Sequence, residues 1–318
     1  ETGVRTRSSL CAPMVGHDGN LVGVIQVLNK RAGGTFTPED EDLLEAFASH
    51  AAVALDRARL VEAFVEKQRI DEGLRLAHEI QMAMLPRALP RRQDLEVAAE
   101  LRPARSVGGD LYDFSVDERG RLWFLVGDVA GKGVAAALYM AIAETSFRAG
   151  VRAEAPLSVR LGRLNSELCR NSGGAMFVTA FAGCLDPATG EVEAGNAGHN
   201  PPYRVSPAGA LARVNEPRGV PLGVVDGYEY PTLRLSLEPG EALYLYTDGV
   251  TEALNGRGEQ FSVRRLEACL RSAAGSPAQE LVDASLREVA SFAGAAPQFD
   301  DIAVMAVRYL GSTHADGP

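Results

Sequence analysis

The order of apolar and polar positions predicts a hairpin at the start of this chain. Ser9 to Val15 is apolar enough for a strand, and Leu21 to Leu28 (LVGVIQVL) is a β-rich run. His17-Asp18-Gly19-Asn20 between them is a turn signal. Gly33-Gly34 then breaks the pattern, and Thr37-Pro38-Glu39-Asp40 starts a helix. Thr37 is its N-cap, Pro38 its first position, and Asp40 stands three residues after the cap. Leu43, Leu44, Phe47, Ala51, Val53, Ala54 and Leu55 follow at helical spacing. From about Leu60 to Leu85 the only glycine is Gly73, and Pro86 and Pro90 end the helical stretch. Inside it Ala63, Ile70, Leu74, Ala77 and Met84 recur at alternating three- and four-residue spacing, interrupted by Lys67 and Gln81. Two readings fit: a parallel coiled-coil linker that forms a homodimer, or an amphipathic helix packed on its own domain.

From about Leu95 to Leu310 the pattern is one continuous block. Strands are expected at Glu96 to Leu101, Arg121 to Val126, Met176 to Leu185, Glu191 to Ala197, Leu233 to Leu237, Ala242 to Tyr246 and Ile302 to Tyr309. Helices are expected at Val134 to Phe147, Pro156 to Asn171, Arg264 to Arg271 and Gln279 to Phe292. The order does not repeat β-α-β-α, so the expected class is α+β, a layered sandwich of largely antiparallel sheets. The polar tail, residues 311–318, is expected to be disordered. The division that follows is 1–58, a linker over 59–90, a main block over 91–310, and the tail.

Composition narrows the function classes. A length of 318 residues allows about two domains. The net charge of −10 argues against coating nucleic acid or an anionic membrane surface, both of which call for basic patches. No apolar run approaches the ~18 residues of a spanning helix, and no signal-peptide core is visible. The four cysteines, Cys11, Cys169, Cys184 and Cys269, form no C-x-x-C pair, so zinc spacing is absent. They point to a reducing cytoplasm.

The chemistry lies in acidic residues at strand edges beside glycines. They occur in Val107-Gly108-Gly109-Asp110-Leu111-Tyr112-Asp113, in Val126-Gly127-Asp128-Val129, in Tyr246-Thr247-Asp248-Gly249 and in Phe299-Asp300-Asp301. Carboxylates are the hard oxygen ligands that Mg²⁺ and Mn²⁺ favour. Glycines allow close backbone approach, so a main-chain carbonyl can also ligate. A single Asp-Gly is usually a turn, but four such runs in one chain are harder to explain that way. Two decoys are set aside. Gly127 to Gly133 has three residues between its first glycines where a P-loop has four, and Gly133 stands where Ser or Thr would ligate magnesium. His199, in Asn196-Ala197-Gly198-His199-Asn200-Pro201-Pro202, is read as bracing a turn rather than ligating.

Two stretches carry family resemblances. RTRSSLCAPM, GNLVGVIQVLNK and FTPEDEDLLEAFASHAAVAL resemble the C-terminal half of a GAF sensory domain, which makes residues 1–58 a partial α/β GAF remnant. GGDLYDF, VGDVAGKGVAAAL, NAGHNPP, PLGV, YTDGVTEA and FDDIAVMAV, in that order, resemble the PPM-type metal-dependent Ser/Thr phosphatases, and among them the SpoIIE-like subgroup of bacterial sigma-factor control. LAHEIQMAMLPRALP resembles the segment that precedes that domain. The resemblance implies a four-layer α-β-β-α sandwich over 91–310 with two Mn²⁺ or Mg²⁺ ions at one end of the central sheets. It implies that Asp128 bridges them, that the Val129 carbonyl is a neighbouring ligand, and that Asp110, Asp248 and Asp300 complete the site. Asp113 and Asp301 are then supporting groups. Arg105 stands where relatives outside the subgroup carry a phosphate-gripping arginine, or else is a surface residue.

The implied reaction is hydrolysis of a phosphoserine or phosphothreonine monoester by a metal-activated water. The implied substrate is a phosphorylated anti-sigma-factor antagonist of the STAS type. The sequence departs from the wider family at Ala130, where relatives outside the subgroup carry a His that can act as general acid. A water or another group must protonate the leaving alkoxide. A competing reading is a poorly active module that binds a phosphorylated partner or dimerises. The full set of principal Asp positions favours activity.

Overall fold

The computed structural model describes residues 5–31, 33–86, 92–151, 155–172, 176–214 and 218–311. The expected disordered tail lies, from residue 312 on, outside the described residues. The elements in chain order are β1 (Ser9–Val15), β2 (Leu21–Leu28), α1 (Pro38–Met84), β3 (Leu95–Arg102), β4 (Leu111–Val116), β5 (Leu122–Val129), α2 (Val134–Val151) and α3 (Leu157–Ser172). Then come β6 (Val178–Leu185), β7 (Glu191–Ala197), β8 (Tyr203–Val205), β9 (Leu211–Arg213), β10 (Arg218–Gly219), β11 (Leu233–Ser236) and β12 (Ala242–Tyr246). The chain closes with α4 (Asp248–Thr251), α5 (Ser262–Ser272), α6 (Ala278–Ala293) and β13 (Ile302–Tyr309). It divides into two compact units, Glu1–Leu74 and Arg75–Pro318. No helix among the described residues is long and apolar enough to cross a membrane.

In the first unit β1 and β2 pair antiparallel, and Ala12, Leu44 and Ala48 form its small core. The helix start follows the capping logic. The backbone N–H of Thr37 donates to Asp40 Oδ2 at 2.8 Å, the reach-back bond of a capping box. Lys30 pairs with the same carboxylate. Much of the apolar surface beyond the cap stays exposed, including Leu60, Val61, Phe64, Val65 and Ile70.

The second unit stacks two sheets between two pairs of helices, the expected α-β-β-α sandwich. One sheet has the order β10-β7-β6-β5-β4, with β11 on β7; the other has β3-β13-β12-β8-β9. Helices α2 and α3 pack on the first, and α5 and α6 on the second. The central strands are apolar on both faces, as a strand covered twice must be. In β12, Leu243 and Leu245 enter the core between the sheets, while Ala242, Tyr244 and Tyr246 pack against α5 and α6. β13 alternates the same way, with Ala303, Met305 and Val307 inward and Ile302, Val304 and Ala306 outward. In β5, Leu122 to Val126 are all buried. Phe124 fills the space left by Gly183 opposite, where a Cβ would meet the ring at 2.3 Å. Truncating such a ring to Ala costs ~3–5 kcal/mol.

The strand assignments differ from the sequence expectation at β4 and β5, and at the short β8, β9 and β10, which the pattern does not predict. β4 was not expected as a separate strand, because its apolar residues are interleaved with Asp113 and Ser115. The ladder to β5 and burial on both faces make it one. β5 runs on through Val129, with Asp128 opposite Thr179 and Val129 opposite Val178. Asp128 is therefore held by a sheet ladder and not by a loop.

Candidate metal centre

Four chain segments converge where the two sheets end. Asp110 lies at the turn into β4 and is 2% exposed. Asp128 is next to last in β5, Asp248 opens α4 straight after β12, and Asp300 precedes β13. Antiparallel strands reverse the chain, so a β-end and a β-start from different sheets can sit side by side. Thr247 ties the sheets together there. Its hydroxyl donates to Asp110 Oδ2 at 2.6 Å and accepts from the backbone N–H of Ala303 at 2.9 Å.

The electrostatics are those of a site that wants cations. Burial raises Asp110 well above the usual carboxylate range, and the charge of Asp128 adds to it, against the Thr247 hydrogen bond. Burial, then the charge of Asp248, pushes Asp128 up to about 7, against a hydrogen bond from Asp110. Asp248 is raised by burial, then by Glu252 and Asp300. Carboxylates crowded in this way share protons or bind metal. The main chain also fits an ion. A Cβ on Gly109 would stand 3.0 Å from the Val129 carbonyl oxygen, so only glycine leaves that oxygen its clearance. Among the described residues no three Asp, Glu, His or Cys side chains are gathered closely enough to hold one ion unaided. Main-chain oxygen and water would complete each shell, as suits Mg²⁺, which keeps several waters beside one or two carboxylates.

Asp301 supports this arrangement mechanically. Its Oδ1 accepts from Ala104 N and its Oδ2 from Gly109 N, both at 2.7 Å, which pins the β3–β4 connection. Glycines make room for it. A Cβ on Gly108 would meet its carboxylate at 2.3 Å, and one on Gly249 its carbonyl oxygen at 1.9 Å.

Asp113 has a different place from the expected one. It lies an odd number of residues beyond Asp110 on extended chain and points to the opposite face. There Arg148 of α2 binds both its oxygens, at 2.9 and 3.2 Å, together with Glu144 at 2.6 Å and the carbonyl of Met84 at 3.1 Å. Its partners belong to α2, not to the carboxylate cluster. Burial raises Asp113 against the Arg148 hydrogen bonds, and pushes Glu144 up to about 7. Arg105 is exposed, on the connection that Asp301 pins.

His199 does brace its turn. Its backbone N–H donates to Asn196 Oδ1 at 2.7 Å, Asn196 Nδ2 donates to its carbonyl at 3.1 Å, and its Nδ1 lies 3.0 Å from Thr179 Oγ1. Burial holds its pKa down to about 4. Two contributors were missed from the sequence. Thr247 was legible only as a neighbour of Asp248. Gln81, read as an interruption of the helical seam, is 4% exposed and clamps Gly108, donating to its carbonyl at 2.7 Å and accepting from its N–H at 3.2 Å.

Comparison with known proteins agrees with this fold. The family described as Stage II sporulation protein E (SpoIIE) matches residues 118–310, and the GAF domain matches residues 1–55. Protein IcfG of Synechocystis sp. is 30% identical over 277 residues, 79% of this chain and 43% of that protein. The phosphoserine phosphatase RsbU of Bacillus subtilis is 28% identical over 192 residues, 60% of this chain and 57% of that protein. The chain thus spans about half the length of these curated relatives. Among solved structures, the SiaA-PP2C domain of Pseudomonas aeruginosa is 25% identical with a TM-score of 0.67, covering 77% of this chain and 98% of that one. Fold, motif order and family match together make this chain a member of the SpoIIE family of PP2C-type phosphatase domains, with a GAF match at its N-terminal end.

Proposed function

We propose that the protein is a metal-dependent phosphoprotein phosphatase that hydrolyses phosphoserine or phosphothreonine monoesters. The observation that carries this reading is the convergence of Asp110, Asp128, Asp248 and Asp300 beside the Val129 carbonyl, with burial and mutual repulsion raising the first three. Asp110, Asp128, Asp248 and Asp300, with the Val129 main-chain carbonyl, would hold two Mn²⁺ or Mg²⁺ ions, with Asp128 as the carboxylate common to both. Such ions supply Lewis acidity that lowers the pKa of an attacking water and neutralises phosphoryl oxygens. Thr247 fixes the orientation of Asp110 by occupying one of its oxygens. Asp301 and Gln81 hold the glycine-rich turn in place from opposite ends of the sequence. Arg105, exposed on the same connection, is available to the phosphate. Ala130 offers no proton, so water or another group protonates the leaving oxygen.

The substrate is a phosphorylated regulatory protein, an anti-sigma-factor antagonist of the STAS type; likeness to the phosphoserine phosphatase RsbU supports the phosphoserine chemistry. The exposed apolar residues of α1 between Leu60 and Ile70 suit a homodimer through that helix. The four cysteines are free, which suits a reducing cytoplasm. The deciding assay is phosphate release from a phosphoserine protein with Mn²⁺, with EDTA, and with Asp128→Asn. Loss of release in the last two arms is expected. An EDTA-insensitive rate or an unaffected variant would refute the metal mechanism.

A further inference from the structure

The Gly131-Lys132-Gly133 turn is not a P-loop, yet its lysine has a specific place. Both glycines take positive φ, 108° and 79°, and bend the chain sharply between β5 and α2. The turn carries Lys132 to Asp300. Its Nζ donates to Asp300 Oδ2 at 2.9 Å and to the Phe299 carbonyl at 3.3 Å, and lies 4.5 Å from the centre of the Phe299 ring. Lys132 and Asp300 are 40% and 33% exposed, so the contact is reversible at little desolvation cost. The same ammonium also pulls Asp248 down against the burial that raises it. It therefore acts on two members of the proposed donor set.

An ammonium and a divalent ion cannot share Asp300 at full strength, because they repel and compete for the same oxygen. The divalent ion carries twice the charge. Once displaced, the ammonium keeps the Phe299 carbonyl and ring, which leaves N–H donors free for another oxygen ligand. A lysine is a compact charge on a flexible stem and a common phosphate binder.

We propose that Lys132 is a two-position cation: it caps Asp300 when the metal centre is empty, and it binds the phosphoryl group of the phosphoserine substrate when the ion is in place. This rests on the phosphatase reading, which supplies the phosphoryl ligand. The lysine thereby couples ion loading to substrate binding. A phosphomonoester and free phosphate share the recognised chemistry, so inorganic phosphate serves as one probe and a phosphoserine protein as the other.

The test uses the full chain with Lys132→Met, which removes the charge and keeps an apolar stem over Phe299, and Lys132→Arg, which keeps the charge. Isothermal titration with Mn²⁺ in the absence of substrate is expected to show about fivefold tighter binding by Lys132→Met, the size of one lost exposed ion pair. Inorganic phosphate is expected to bind the Mn²⁺-loaded Lys132→Met about tenfold more weakly. KM for the phosphoserine protein should rise with it, and Lys132→Arg should restore most of both. Unchanged or weaker Mn²⁺ binding by Lys132→Met overturns the capping position. Unchanged phosphate affinity and KM overturn the phosphoryl position. A wild-type chain that binds no Mn²⁺ overturns the metal-centre reading and this proposal together, whereas a wild type that binds Mn²⁺ and a Lys132→Met that behaves identically overturn this proposal alone.

Discussion

Asp128→Asn is expected to stabilise the metal-free protein and to remove its response to metal. Burial and the charges of Asp248, Asp300 and Asp301 move Asp128 from 3.8 to about 7 in the folded chain. The folded state therefore holds this proton more tightly than the unfolded state. Below 3.8 both states are protonated. As pH rises the unfolded chain ionises first, so stability falls between 3.8 and about 7 and stays low above it. At ~1.4 kcal/mol per pKa unit the ceiling is ~4 kcal/mol. Asp128 retains some exposure, and solvent screening brings the expectation to ~2 kcal/mol. Asparagine keeps the shape and drops the charge. In EDTA at pH 8 the variant should melt ~4–8 °C above the wild type, and the two should converge near pH 4. His199, held down to about 4, has the opposite slope between that value and 6.5, but it is common to both proteins and cancels in the difference. With Mn²⁺ the order should reverse, because the wild type gains binding energy that the variant has lost. Melts by circular dichroism over this pH range, with and without Mn²⁺, decide the matter. A variant that melts below the wild type in EDTA at pH 8 refutes the reasoning.

Three further outcomes follow from the packing. Gly249→Ala puts a methyl group 1.9 Å from the Asp301 carbonyl oxygen, so phosphatase turnover should fall more than ~10-fold with ~1–3 kcal/mol of lost stability in urea. Gly73→Ala is its counterpart: no atom lies within 4 Å of the added carbon in the exposed middle of α1, and a gain of ~0.5–1 kcal/mol in helix stability is expected by thermal melting. Gln81→Leu leaves both polar groups of Gly108 unpaired in a buried place. It should cost ~1–3 kcal/mol by urea denaturation and lower kcat, and normal stability with normal kcat would show that the clamp is idle.

Much of the architecture was legible from local pattern because the physics there is local. Ser9–Val15, Leu21–Leu28, Ala242–Tyr246 and Ile302–Tyr309 are bounded by turn signals, and their apolar runs mark strands covered on one or both faces. Thr37, Pro38 and Asp40 announced a helix start four residues wide, and the capping bond is made within it. β4 was harder, because a buried Asp113 reads as polar until its partner Arg148 is known, and that partner is 35 residues away. The carboxylates of the proposed centre were legible as a set because all four lie at strand edges and Asp110, Asp128 and Asp248 each stand beside a glycine, a signature of close backbone approach that survives in one dimension.

What the sequence by itself determined is the list of strands, the helix caps, the glycines and the acidic residues, since each depends on neighbours a few positions away. Tertiary structure alone decided which of those acids face one another. Asp110 and Asp113 look equivalent in GGDLYDF, yet extended backbone sends them to opposite faces, one to Thr247 and the other to Arg148. Gln81 and Lys132 gained their roles the same way, from contacts spanning 27 and 168 residues. The physical reason is that charge and hydrogen bonding act through space at a few ångströms. A chain of this length brings such partners together only after its two sheets have stacked.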